Sequence, residues 1–387
     1  MRLLLILMLN IIFFDFSYSQ TDFTPSTDGS VVIVADKLGD FQEGMCPVKK
    51  GEKWGFIDIG GKLVIDFTLD FNSFDFEYPF FSDGICMIPY SDNGHKAFKY
   101  IDKTGKTIFN VKNIVGATPF TGGFARIMVK GKKNRIYSID KNGKEVKGTS
   151  IPFKAFAAQL KYFKYSDGML KYLDPTANLY GYINNKGKIL IKPEYEEAEA
   201  FSEGLAAVKA VLGTGERKWG YIDKNGKKVI DFIYTNKPGN FAEGKAQVTD
   251  KDDKTGFIDK NGDVVIETKY AWCSSFKNGM AYVEIPFKET LLIDTTGAQL
   301  QKFNIKGFHI RYDVGDSANY VYSTGGSYRW GLITYDGKIT LPYQSFEYIG
   351  PFSDGLAQAR AFVNKKRVHG FINKEGNFII IKGENKF

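Results

Sequence analysis

The stretch KWGYIDKNGKKVI, Lys218 to Ile230, with FSEGLAAVKAV at Phe201 to Val211 ahead of it, decides how this chain is read. Leu205-Ala206-Ala207-Val208 alternates small and large apolar residues on the two-residue period of a half-buried strand. Trp219 to Asp223 is a second run of similar length. Asp223-Lys224-Asn225-Gly226 has the chemistry of a type I turn followed by a left-handed glycine that starts a bulge. The Asp carboxylate accepts nearby backbone N–H groups, and glycine takes the positive φ without a Cβ clash. Lys228-Val229-Ile230 returns as a third strand. The unit is an antiparallel meander, with a short fourth strand expected near Tyr195 to Phe201.

The same unit recurs along the chain. Nine segments start with an aromatic, two variable residues and a glycine: Phe41/Gly44, Phe81/Gly84, Phe120/Gly123, Tyr165/Gly168, Phe201/Gly204, Phe241/Gly244, Phe276/Gly279, Tyr312/Gly315 and Phe352/Gly355. Their mean spacing is about 39 residues, a period of solenoids and propellers. A second mark follows each. Its isoleucines are Ile57, Ile101, Ile139, Ile183, Ile222, Ile258, Ile293, Ile333 and Ile372. Its turn glycines are Gly61, Gly105, Gly143, Gly187, Gly226, Gly262, Gly297, Gly337 and Gly376. Such a unit cannot stand alone. Its few buried side chains supply about 1.5–3 kcal/mol each, whereas ordering every residue costs about 1–2 kcal/mol. Neighbours must supply the difference.

The expected fold is therefore all-β: a tandem array of about nine antiparallel meander repeats over residues 37–383, with no linker dividing it. Nine copies exceed the usual four to eight blades of a closed propeller. An open, curved or superhelical stack is the first expectation, and a propeller-like ring the second. Aromatic content of 15% with 41 glycines fits strands separated by glycine turns and excludes disorder.

Residues 1–19 read as a signal peptide. Met1-Arg2 is a short positive start, Leu3 to Phe14 is apolar apart from Asn10, and Ser17-Tyr18-Ser19 offers small residues for cleavage before Gln20. The apolar run is shorter than the roughly 20 residues that span a bilayer. Residues 20–36 are then a lead-in, and the mature chain is expected outside the cytoplasm, secreted or in the periplasm or cell envelope, with no transmembrane segment. The formal charge of +8 suits an anionic partner, and export argues against nucleic acid.

KWGFID at Lys53 to Asp58, KWGYID at Lys218 to Asp223 and RWGLIT at Arg329 to Thr334 share a Trp-Gly pair. With the aromatic-x-x-Gly start and the glycine-lysine turn, they resemble the WG-containing repeat family of bacterial proteins. The resemblance departs at Lys99, Tyr137 and Leu291, where the glycine of the pair is missing, and in the irregular stretch 144–180. It implies a β-rich scaffold of interaction type and brings no catalytic residues with it.

The repeat-defining residues are thus Trp54, Gly55, Ile57 and Gly61; Trp219, Gly220, Ile222 and Gly226; and Trp330, Gly331, Ile333 and Gly337. Phe98, Tyr180 and His369 fill the Trp position in other copies. His95, His309 and His369 lie in three different repeats without metal-ligand spacing, so no metal, cofactor or catalytic residue is assigned. Cys46 and Cys86 share a position held by alanine elsewhere, which reads as a small-residue core column; export also leaves a Cys46–Cys86 disulfide open. Lys62, Lys106, Lys144, Lys188, Lys227 and Lys338 follow the turn glycines and form a candidate basic stripe, with protection of exposed strand edges as the competing reading. The acids Glu194, Glu196, Glu197 and Glu199 read as a solvated loop. The expected function is an exported, non-catalytic scaffold binding a protein or an anionic glycan through loops between repeats. The alternative is a hydrolase acting on an envelope polymer.

Overall fold

The computed structural model describes residues 27, 29–72, 76–129, 135–146, 166–174, 176–184, 188–286, 289–303, 308–313, 319–324, 330–334 and 336–383. The signal-peptide reading, Tyr165, Gly187, Gly315 and most of the irregular stretch 144–180 lie outside them. The described residues form nine small sheets and no helix, their strands antiparallel and in chain order apart from Val31–Val34. The all-β repeat array is therefore what the chain builds.

Repeat five shows the plan. Glu197–Ala198, Leu205–Val211, Arg217–Asp223 and Lys228–Tyr234 pair in chain order. The turn after the third strand forms as its chemistry dictates: Gly226 has φ 80°, and Asp223 Oδ1 accepts from the N–H groups of Asn225 and Lys227 at 2.9 Å each. The aromatic-x-x-Gly mark is a second tight turn, between the first two strands. Residues such as Asp83 (φ 55°) and Gly84 (φ 81°) are both left-handed, the pattern of a two-residue type I′ hairpin.

The core lies between neighbouring sheets. All nine repeat isoleucines are buried, and so are Cys46, Cys86, Ala125, Ala206, Ala246, Ala281 and Ala357 in the small-residue column. Cys46 and Cys86 pack in different clusters and are free thiols, so they are not bridged. Where the third strand of the preceding repeat carries an aromatic before its isoleucine, the first-turn aromatic leans against that ring; Leu332 takes the place before Phe352. Centroid distances are 4.9 Å for Phe81 on Phe56, 5.5 Å for Phe120 on Tyr100, 4.7 Å for Phe201 on Tyr182 and 5.0 Å for Phe241 on Tyr221.

The same joint closes the array. Phe41 of repeat one meets Phe371 of repeat nine at 4.8 Å. Gly44 N–H donates to Asp354 Oδ2 at 2.7 Å, and Gln358 Nε2 donates to Gly39 O at 3.0 Å. The strand Val31–Val34, inside the stretch read as a lead-in, then adds in parallel to the outer edge of Phe378–Gly383. The ring, second expectation from the sequence, is the arrangement, and the open stack is corrected. An open stack would leave Phe41 and Phe371 as exposed ends; here both are 1% exposed.

Candidate binding surface

Antiparallel pairing sorts the connections. The turns after the first and third strands fall at one end of every sheet, and the loops after the second and fourth at the other. The first end is uniform. Six of the nine repeats place an acid before the first-turn glycine, and it accepts the N–H of the same glycine one repeat on: Glu43 from Gly84 at 2.8 Å, Asp83 from Gly123 at 2.7 Å, Asp167 from Gly204 at 2.6 Å, Glu203 from Gly244 at 3.0 Å and Glu243 from Gly279 at 2.8 Å. Asp354 to Gly44 carries the chain across the seam. Lysines from the third-strand turn of the following repeat reach back to these acids. Lys103 donates to Glu43 O, Lys141 to Asp83 O and Lys260 to Glu203 O, while Lys224 lies 3.8 Å from Asp167. Slight burial works against ionisation of Glu203, but the Gly244 N–H, Lys260 and the Glu243 N–H outweigh it and hold its carboxyl below the usual range.

These lysines stand second in the turn. The six singled out from the sequence, Lys62, Lys106, Lys144, Lys188, Lys227 and Lys338, stand just past it and behave differently. All are exposed. Their backbone N–H groups are held by the first turn side chain, as with Lys62 on Asp58 and Lys338 on Thr334 Oγ1. They stand one per repeat at the start of an outer strand. Spacing marks both sets, because Lys103, Lys141, Lys224 and Lys260 also recur at one repeat position.

The repeat-defining residues are structural in place. Trp54 and Trp219 are buried, Trp330 is half-buried, and Ile57, Ile222 and Ile333 are fully buried. A Cβ on Gly55 would lie 2.5 Å from Ile65 O, and one on Gly220 2.7 Å from Ile230 O. Gly331 is buried beside Trp330. Gly61, Gly226 and Gly337 combine positive φ with contact on the preceding repeat. His369 fills the Trp column half-buried; burial first, then Lys382 and Arg360, pushes its pKa down.

The opposite end varies from repeat to repeat. Its acids are paired: Glu196 with Arg217 at 2.7 Å, Glu197 with Lys209 at 2.8 Å and Glu199 with Lys237 at 3.1 Å. Among the described residues no group of three or more His, Cys, Asp or Glu forms a metal-binding arrangement. The connection leaving Asp70 is rich in aromatics. Phe71, Phe76, Pro79 and Phe80 line a shallow apolar dimple with Met87 and Pro119. Phe76 and Phe80 meet edge-on at 5.3 Å, and Trp54 underlies the connection 6.5 Å from Phe71 and 6.3 Å from Tyr78. The sequence pass missed this feature because these aromatics lie between repeats, off the repeating positions.

Five stretches match the sequence model of the WG containing repeat family: residues 36–54, 180–210, 219–254, 256–285 and 330–365. No curated protein matches the chain at a significant level. Among solved structures, the crystal structure of the eukaryotic initiation factor is similar with a TM-score of 0.53 at 9% identity, over 89% of this chain and 98% of that one. This likeness shows the fold alone. The computationally designed Ika8 protein scores 0.38 at 12% identity, over 81% and 96% of the two chains. BamB from Moraxella catarrhalis scores 0.26 at 11% identity, over 78% and 80%.

Proposed function

We propose that this chain, an array of WG containing repeats, is an exported, non-catalytic scaffold that binds a protein or an anionic glycan through its variable loop end. The observation that carries the reading is the aromatic-rich connection from Phe71 to Phe80, off the repeating positions, set in a ring whose other end is spent on holding repeats together. Aromatic faces and proline edges suit apolar side chains or sugar rings. The positive formal charge favours acidic partners. The pairing of Glu196, Glu197 and Glu199 with basic side chains supports a binding role over an acid–base one.

The test uses the chain from Gln20 onward against immobilised anionic and neutral envelope polymers and purified extracellular proteins, with product release followed in parallel. Saturable binding without product is expected, weakened at least about tenfold by Phe76→Ala and Phe80→Ala together, the size of effect typical for loss of interface aromatics. Release of cleaved polymer would establish the hydrolase instead. Binding indifferent to both substitutions would move the contact surface elsewhere.

A further inference from the structure

The rim of the ring is built from fourth strands, and among the described residues one of them is covered. Phe378–Gly383 carries Val31–Val34 on its outer edge, registered Val31 with Ile380 and Val34 with Gly383. This is the parallel pair among strand contacts that are otherwise antiparallel. The apolar pair that opens this strand is also packed away, Phe378 in a core cluster with Leu332 and Phe346 of repeat eight and Ile379 against the cluster that holds Ala35 and Leu38. Phe378, second after the turn glycine of repeat nine, is 1% exposed, and Ile379 beside it is half-buried. The equivalent pair in repeat one, Leu63 and Val64, is 41% and 40% exposed, and that in repeat six, Val264 and Val265, is 60% and 41% exposed.

Exposed apolar edges invite strand addition, and charge near the edge discourages it. Most repeats place a lysine directly after the turn glycine, ahead of an apolar pair at Lys62 and Lys188 and of a second lysine at Lys227. Repeat six places Asp263 there, and Glu267 follows three residues after Val264. Its outer strand Val264–Tyr270 thus lacks the lysine at the turn, its one cation being Lys269 near the far end, while the near end carries a highly exposed apolar pair.

We propose that the outer edge of Val264–Tyr270 is a strand-addition site for a partner's extended segment: a short β-branched run with a basic residue, aligned in parallel as Val31–Val34 is on repeat nine. Backbone pairing would supply affinity, and contacts to Val264 and Val265 the preference for β-branched residues. Asp263 and Glu267 favour a basic flank. This site is on the rim and does not depend on the loop-end reading.

The probe is a synthetic peptide of residues 27–36 of this chain, TDGSVVIVAD, and a second with lysine in place of its two acids. Both are titrated against the full chain from Gln20, with amide hydrogen exchange as the readout. The expected result is slowed exchange confined to residues 264–270 and at least tenfold tighter binding of the lysine peptide. A Val264→Lys/Val265→Lys variant, altered only at exposed positions, should fold as the parent does and lose binding at least tenfold. Absence of binding, protection elsewhere, displacement of Val31–Val34 from repeat nine, or undiminished binding to the lysine variant would each overturn the proposal.

Discussion

Repeats five and seven have the same four-strand order, yet one carries the Trp-Gly pair and the other does not. In repeat five, Trp219 pairs with Tyr234 while Tyr221 pairs with Ile230. The fourth strand advances four residues while the third advances two. In repeat seven, Thr290 pairs with Phe303 and Leu292 with Gln301, two against two. Gly220 allows the difference: the fourth-strand backbone bulges to where its Cβ would stand, 2.7 Å from Ile230 O and 2.9 Å from Asp231 O. Leu291 occupies the same place in repeat seven, and there the third and fourth strands advance together. Repeat two, with Lys99, pairs in the same way, and its outer strand is the shorter, Thr107–Val111 against Lys228–Tyr234. The glycine of the pair is there for a wide bulge, and the bulge lengthens the rim strand.

The bulge leaves the joint between repeats unchanged, and this is the claim with the largest expected effect. Phe241 sits on the Trp-Gly repeat five and Phe120 on the glycine-less repeat two, at 5.0 and 5.5 Å. Phe241→Ala and Phe120→Ala should each destabilise the ring by about 3–5 kcal/mol. Phe41→Ala should cost the same, because its joint is the seam and not an end. Urea midpoints on the three variants check this, and a seam variant losing less than half as much would contradict closure.

Next in size is the glycine itself. Gly220→Val drives two methyls and a Cβ into backbone that has no room to yield, and about 3 kcal/mol or more is expected. Gly262→Ala combines φ 93° with a Cβ 3.0 Å from Ile230, for about 2 kcal/mol. Gly204→Ala has the φ cost without the contact and should lose about 1 kcal/mol. Thermal midpoints falling in that order would support the bulge argument; equal losses would reduce all three glycines to turn formers.

Glu203 offers a smaller effect with a sign. Its carboxylate accepts from the N–H groups of Glu243 and Gly244 and lies 3.1 Å from Lys260. Its pKa is depressed on folding, so its contribution is present above the unfolded-state value and is lost as pH falls through the folded one. Glu203→Gln should destabilise by about 1 kcal/mol at neutral pH, the worth of a partly exposed charge-assisted bond. The gap to the parent should close in acid. A gap constant with pH would remove the charge from the explanation.

Much of this was legible from residues. Asp223 to Gly226 named its own turn because carboxylate, amide and left-handed glycine have local jobs that need no partner. Ile222 and its equivalents announced a core by recurring beside that turn. Closure was not legible, since nothing local in Phe41 or Phe371 says that they meet; only a wedge repeated nine times brings the ends together. Val31–Val34 looked like a lead-in because four apolar residues carry no partner's address. The inter-repeat lysines were passed over for their neighbours because both sets recur equally, and only geometry separates a side chain reaching Glu43 O from one facing solvent.

The smallest prediction runs the comparison backwards. If Gly220 only permits the bulge, then giving repeat seven a glycine should not create one. Leu291→Gly removes a buried side chain that is 6% exposed and adds backbone freedom, so stability should fall by about 2–4 kcal/mol from the lost burial with about 0.5–1 kcal/mol of backbone entropy on top. Leu291→Ala should account for the first part alone. The quantity that tests the comparison is therefore the small difference between glycine and alanine. A loss on going from alanine to glycine says that the register of Gln299–Phe303 holds without a bulge. A gain, with the pairing of Gln299–Phe303 on Thr290–Asp294 shifted in amide exchange, would mean that the glycine itself drives the bulge.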